Sequence, residues 1–365
     1  MKNISRRTIS LLLAIIMSLS AWGCGKKGAN NVETDISEVG NVSEVPKVDE
    51  VPKQEYENLL TGLDTLTEKA VGKRPLAVMI NNVKDAMPQY GVAQADVIFE
   101  MPVEGDLTRL MALYADYTQI PDICSVRSCR YYYPAIAKGF DAFYVHWGID
   151  PSVKTYVSSL KMDRYDGTAN TNGLFGRDTE RQKAGYATEH TGYFKGTQFA
   201  SVAEKNNVRL ELNEDKKGTA FNFADKGVVT TPTGETCNIV NIKFGAANVK
   251  FTYDAEKKLY SKDFNGQPHV DGRTNEQLSF TNVFVLETSI SVRDETGHKK
   301  LDWAGSSDAK GYYISDGVVQ EIRWSKANGS EDSPLKFYDT NGQELVINRG
   351  KSYIAYTYAG RTNWE

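Results

Sequence analysis

The sequence predicts an α+β protein: a mixed α/β N-terminal domain followed by a β-rich, sandwich- or barrel-like C-terminal domain. Three observations carry that expectation. Between residues 58 and 213, short apolar runs alternate with segments of helical period, the pattern of a mixed sheet with helices packed on it. From residue 214 to 365, alternating runs are separated by turn dipeptides, with little helical period. Ahead of both lies a stretch too polar to fold.

The first 23 residues read as an export signal. Lys2, Arg6 and Arg7 form a positive start, Thr8 to Trp22 carries no charge, and Gly23-Cys24 closes the run. The apolar run is shorter than the roughly 20 residues a spanning helix needs. A cysteine directly after a small residue fits lipoprotein processing, so Cys24 is the expected lipidation site. Two acyl chains anchor a protein without a further signal. The expected location is the cell membrane, lipid-anchored, on its extracytoplasmic face. Losing residues 1–23 removes three positive charges and takes the formal charge from −4 to −7. Such a chain has no electrostatic reason to bind nucleic acid.

Residues 24–57 read as a tether. Ser43-Glu-Val-Pro46 and Asp49-Glu-Val-Pro52 belong to a loose repeat that cannot bury enough apolar surface to fold. As a flexible coil it spans roughly 30 Å. Besides Cys24 there are Cys124, Cys129 and Cys237. An odd number does not make a disulfide framework. Cys124 and Cys129 share one short segment whose geometry disfavours a bridge. Free, buried thiols are expected.

In the first region, Pro75-Leu-Ala-Val-Met-Ile-Asn81 is a near-continuous apolar run, as in a strand buried on both faces. Ala95 to Glu100 and Thr108 to Tyr114 flank Glu104-Gly105-Asp106, a hairpin turn. Asp122 to Ser128 and Ala142 to His146 read as further strands. Arg130–Lys138, Ser152–Leu160 and Gly196–Asn206 read as helices. In the second region, Asn265-Gly266, Asp316-Gly317 and Asn341-Gly342 mark turns between runs such as Val249 to Tyr253, Asn282 to Glu287 and Tyr353 to Tyr358.

Polar residues crowd the ends of the first region's strands, where α/β proteins place ligand sites. Arg109, Arg127 and Arg130 would form a positive pocket, since the guanidinium fork matches phosphate or carboxylate oxygens. Asn81, Asn82, Gln89 and Ser128 add neutral hydrogen bonds. Asp96, Glu100 and Glu104 would hold the arginines, bind a divalent cation, or serve as acid and base; Glu100 and Glu104 are the catalytic candidates. The competing interpretation is a salt-bridge network with a structural role only. His146 and His190 are further lining candidates. Arg177-Asp178 sits in a Gly-rich segment whose plainer interpretation is a solvated loop. The four histidines have no metal-ligand spacing, and no metal or cofactor is expected. The common hydrolase, penicillin-binding, nucleotide and dinucleotide signatures are missing. Trp303 and Trp324 are expected in the core.

Arg74-Pro-Leu-Ala-Val-Met-Ile-Asn-Asn82, Pro88-Gln89, Ala95-Asp96-Val-Ile-Phe-Glu100, Val103-Glu-Gly105, Thr108-Arg109, Val126-Arg-Ser-Cys-Arg130 and Asp141-Ala-Phe-Tyr-Val-His146 follow in order. Together they resemble the YerB-like bacterial lipoproteins. Trp324-Ser-Lys326, Asp339 and Leu345-Val-Ile-Asn-Arg-Gly-Lys351 extend the resemblance into the second region. Cys129 stands where that family usually has a small residue, and Asp106 where it often has Gly. The resemblance implies an envelope lipoprotein of two adjacent domains and supplies no reaction. The functional expectation is therefore an anionic or glycan-linked envelope ligand bound at the arginine/carboxylate cluster. The alternatives are a glycan- or phosphate-processing envelope enzyme using Glu100 or Glu104 as acid or base, or a non-catalytic interaction scaffold for wall synthesis; the expected partners are the membrane, through the lipid on Cys24, and a cell-wall glycan or an envelope protein.

Overall fold

A computed structural model describes residues 55–170 and 172–365. The signal segment, Cys24 and the tether up to residue 54 lie outside the described residues. The described chain belongs to one compact unit, Lys53–Glu365.

The α+β expectation holds. The main element is an eleven-stranded sheet. Its order is Glu235–Thr236, Val318–Lys326, Gly305–Ser315, Asn282–Glu287, Ser352–Thr357, Val97–Pro102, Thr108–Tyr114, Leu76–Asn82, Phe143–His146 and Arg164–Asp166, with Leu335–Tyr338 added beside Val318–Lys326. The strands of the two sequence regions are therefore continuous through one sheet. The junction is Ser352–Thr357, which runs parallel to both Asn282–Glu287 and Val97–Pro102. Its six residues are all buried, as expected of a strand covered on both faces.

The hairpin forms as its sequence requires. Val97–Pro102 pairs antiparallel with Thr108–Tyr114, and the turn holds Gly105 at φ 66, a conformation glycine adopts without steric cost. Leu76–Asn82 completes this core with all seven residues buried. The Asp122–Ser128 segment differs from expectation. Only Ile123–Cys124 is a strand, paired with Gly192–Phe194, and Val126 makes a single bridge to Ile80. The polar side chains from Ser125 to Arg130 interrupt the alternation a longer strand needs. The helices appear as Tyr132–Gly139, Lys154–Ser159 and Phe199–Lys205, the last two entered through 3-10 turns.

A second sheet of six strands, built on Ile239–Lys243, Asn248–Asp254 and Leu259–Phe264, packs over the junction. Phe251 and Phe280 lie against Tyr353, with ring centroids 4.9 and 5.6 Å apart. Trp324 is fully buried and Trp303 packs against the core. Cys124, Cys129 and Cys237 are free and buried, and burial pushes each thiol up to about 12. No helix among the described residues is long and apolar enough to cross a membrane.

Candidate functional site

Strand alternation divides the expected polar cluster in two. Asn82 pairs with Thr108, and Asn81 with Arg109, in the antiparallel register. Successive residues of a strand point to opposite faces. Asn82, Thr108 and Glu100 therefore share one face, and Asn81 and Arg109 the other.

The first face holds a sealed network. Glu100 is fully buried. Its Oε1 accepts from Asn82 Nδ2 at 2.9 Å and Thr108 Oγ1 at 2.8 Å; its Oε2 accepts from Tyr353 OH at 2.8 Å and lies 3.3 Å from Lys262 Nζ. Lys262 donates to His269 Nδ1 at 2.9 Å, and His269 Nε2 donates to Gln89 Oε1 at 2.8 Å. Gln89 Nε2 closes the circuit on Asn81 O at 2.9 Å and Asn82 Oδ1 at 3.1 Å. Burial pushes His269 well below its ordinary pKa, with the Lys262 charge adding to the effect. A neutral imidazole with one acceptor and one donor nitrogen is the form this circuit requires. Burial also lowers Lys262, and Glu100 opposes that shift. Every member has a partner, as a buried polar network must.

Glu100, Asn82 and Gln89 thus lie apart from the arginines they were expected to join. Glu100 has no open lone pair for a substrate proton, which general acid–base work needs. Lys262, His269 and Tyr353 are the partners that sequence reasoning missed. Lys262 was legible: it sits between Tyr260 and Phe264 on the inward row of an alternating strand, a position otherwise apolar.

The opposite face carries the arginines. Glu104 accepts from Arg109 Nη2 at 2.9 Å and Arg130 Nε at 2.9 Å, and also pairs with Arg130 Nη2. Arg109 Nη1 donates to Ser128 O at 2.8 Å. Burial raises the Glu104 pKa, but the Arg130 hydrogen bond and both arginine charges outweigh it and hold the carboxyl at about 2. Burial and the charge of Arg130 push Arg109 down to about 10. Glu104 is therefore a fixed anion that clamps two guanidiniums, and it too is unsuited to proton transfer at neutral pH.

Arg127 is half-buried and makes one side-chain hydrogen bond, from Nη1 to Glu189 O at 3.1 Å, while its Nε is buried without a partner. Arg177 is in a strand, not a solvated loop: its guanidinium lies 4.2 Å from the Trp147 ring centroid and donates to Thr188 O at 2.7 Å. Both arginines thus grip the 188–189 backbone. His190 bonds Asn81 Nδ2 through Nδ1 at 2.9 Å. His146 is fully buried; its Nδ1 donates to Gly148 O at 2.9 Å, and its Nε2 is unpartnered. Burial lowers its pKa, with Asp166 opposing.

Two candidates lie elsewhere. Asp96 accepts from Asn58 Nδ2 and Ala115 N at 2.9 and 2.8 Å, and desolvation pushes it up to about 6. Asp178 caps the Thr179–Lys183 helix through Arg181 N. A separate group, Asp150, Asp294 and His298, has ligand atoms close enough for a cation. Arg293 already bonds both of its carboxylates, so the group's charge is met within the chain.

The same arrangement of halves recurs in known proteins. Residues 60–209 match the N-terminal domain, and residues 240–354 the C-terminal domain, of the family described as protein of unknown function DUF3048. The chain is 29% identical over 300 residues to the Bacillus subtilis protein named "Putative lipoprotein YerB", covering 81% of this chain and 84% of that one. The crystal structure of YerB from Bacillus subtilis superposes with a TM-score of 0.71 at 26% identity, covering 84% of this chain and 98% of the other. The chain belongs to the YerB-like family. In this YerB-like chain the boundary between the two family domains is spanned by the shared sheet and by the Glu100–Lys262 network. The kinship supports a membrane-anchored lipoprotein, and the matched descriptions assign no reaction, ligand or partner.

Proposed function

We propose that this YerB-like lipoprotein is held through lipid on Cys24 at the extracytoplasmic face of the membrane, where it binds an anionic envelope ligand at the arginine face of its N-terminal domain. One observation carries the reading. Arg109, Arg127, Arg130 and Arg177 gather around Glu104 and the exposed Glu189, so guanidiniums exceed carboxylates there in a chain whose net charge is −4. A local surplus of that kind attracts anions against the sign of the whole molecule. Arg127 is the free arm. Arg109 and Arg130 are locked by Glu104, whereas Arg127 holds one backbone carbonyl and keeps donors to offer.

The catalytic alternative is disfavoured by the geometry of both carboxylates: one is sealed and one is clamped. Titration calorimetry of the full mature chain with inorganic phosphate tests the binding reading. Arg127→Ala should weaken binding about tenfold or more, the scale of one hydrogen bond to a charged group, with the melting temperature little changed. Equal affinity in the variant, or no heat in the wild type, refutes it. Loss of acyl labelling in Cys24→Ala tests the anchor.

A further inference from the structure

The sealed network brings an amine, a carboxamide and a carboxylate together where water is excluded. Glu100 Oε2 lies 3.3 Å from Lys262 Nζ, and Glu100 Oε1 accepts from Asn82 Nδ2 at 2.9 Å. One carboxylate thus touches a nitrogen nucleophile through one oxygen and a carboxamide nitrogen through the other. Asn82, Gln89, Glu100, Lys262 and His269 are each 2% exposed or less. The Lys262 nitrogen lies 5.2 and 5.6 Å from the ring centroids of Phe264 and Tyr353.

The other members of the network have complementary positions. Gln89 Nε2 donates to Asn82 Oδ1 at 3.1 Å, where negative charge develops if Cγ is attacked. Thr108 Oγ1 accepts from Asn82 Nδ2 at 2.7 Å and donates to Glu100 Oε1 at 2.8 Å, which holds that nitrogen against the carboxylate. Tyr353 OH donates to Glu100 Oε2 at 2.8 Å, and His269 Nδ1 accepts from Lys262 at 2.9 Å. Burial lowers the Lys262 pKa, and a desolvated lysine is a nucleophile because its free amine is favoured. The seal that denies Glu100 to an outside substrate leaves it in contact with these two side chains.

We propose that Lys262 and Asn82 join in an isopeptide bond, Nζ to Cγ, with Glu100 carrying the protons and ammonia released. Nζ reaches Cγ by rotation about the single bonds of its stem, across the carboxyl group it already touches. Glu100 takes one proton from the ammonium, and the amine lone pair bonds to Cγ while the carbonyl pair moves onto Oδ1. Glu100 hands that proton to Nδ2; the carbonyl re-forms and the Cγ–Nδ2 bond breaks with its electrons. Nζ sheds a second proton to Glu100, and the departing ammonia carries it off as ammonium. One C–N bond replaces another, and nothing is oxidised or reduced. Holding the reacting groups in one dry site supplies the proximity the step needs. The product ties the Leu76–Asn82 strand of the first region to the Leu259–Phe264 strand of the second, a covalent link that the free, buried thiols do not provide.

The test is a tryptic map, by mass spectrometry, of the full mature chain digested after denaturation. The expected result is no cleavage after Lys262, and peptide 74–84 joined to peptide 259–273 with their combined mass reduced by one ammonia. Lys262→Arg and Asn82→Ser should give linear peptides only, and Glu100→Gln should leave both partners present and unjoined. The wild-type map decides the matter even if these variants do not fold. Complete cleavage after Lys262 in the wild type overturns the proposal. A join to peptide 85–109, which carries Glu100, with loss of water also overturns it. Neither result bears on anion binding at Arg127.

Discussion

Replacing Lys262 with methionine should destabilise both halves of the protein at once. The ammonium is fully buried and lies 3.3 Å from Glu100 Oε2. Methionine keeps much of the stem but removes the cation beside a carboxylate that has no solvent exposure. Removing one partner of a buried ion pair typically costs about 3–5 kcal/mol, because the other charge stays buried and uncompensated. Two terms adjust that figure. Asn82, Thr108 and Tyr353 continue to donate to Glu100, at about 0.5–1.5 kcal/mol per bond. Against this, His269 Nδ1 loses its donor, and a buried acceptor left bare costs about 1–3 kcal/mol. The terms are comparable, so about 3–5 kcal/mol remains the expectation. Urea unfolding followed by tryptophan fluorescence and by circular dichroism measures it, and the two probes should give coincident transitions because the sheet is shared. The Glu100→Gln, Lys262→Met double variant removes both charges and should be more stable than the sum of the single losses, by up to about 3 kcal/mol. A Lys262→Met cost below about 1 kcal/mol, or strict additivity, would refute the reasoning.

Glu104 and Lys326 make opposite pH predictions. The folded Glu104 pKa is held at about 2, below the model-peptide value of about 4.3. Its stabilisation is present above the unfolded value and is lost as pH falls towards 2. Glu104→Gln should flatten that part of the acid-unfolding curve, and an unchanged acid slope rules the clamp out. Lys326 is buried and donates to Ala135 O and Glu331 O at 2.8 and 2.9 Å; burial, helped by Lys216, lowers it from 10.5 to about 7. Between those values the unfolded chain holds a proton the folded chain has released, so stability rises with pH across that window. Lys326→Met should abolish the rise from pH 7 to 10; the same slope in both proteins sinks the assignment. Burial raises the thiols of Cys124, Cys129 and Cys237 to about 12, so a thiol reagent should label none of them in the folded protein and all three in urea.

Much of the fold was legible because its core strands are written in one period. The Leu76–Asn82 strand with its apolar Leu76–Ile80 run, the Glu104-Gly105-Asp106 turn and the Asn282–Glu287 strand fall at or within a residue of where the pattern puts them. The continuation of the sheet from one half into the other was not legible. Nothing in the Ser352–Thr357 sequence says that its neighbour will be Val97–Pro102, some 250 residues earlier, because pairing partners are chosen by tertiary packing and not by local pattern. The site was half legible for a related reason. The residue types at the strand ends were visible, and so was the adjacency of Asn81 to Asn82 and of Thr108 to Arg109. Applying the two-residue period to those adjacent pairs sends them to opposite faces. What no period could supply was the Lys262 ammonium arriving from the second region to meet Glu100.

That division assigns different work to the two faces. A carboxylate buried at a sheet centre needs a cation, and in this chain the cation comes from the other half. The N-terminal half alone would hold Glu100 uncompensated, so covering this face is a contribution of the second region that can be stated in physical terms. The arginine face is not closed in the same way. Arg127, Ser128, Trp147 and Arg177 all remain half-buried, and Glu104 neutralises only part of the charge around it. Substitutions on the two faces should therefore separate. Changes at Lys262 or Tyr353 act on whether the protein is folded. A change at Arg127 acts on what the folded protein binds, since its side chain holds little besides Glu189 O. A chain that lost stability equally from both faces would have a structural arginine cluster, and the surplus of guanidinium groups would then need another explanation.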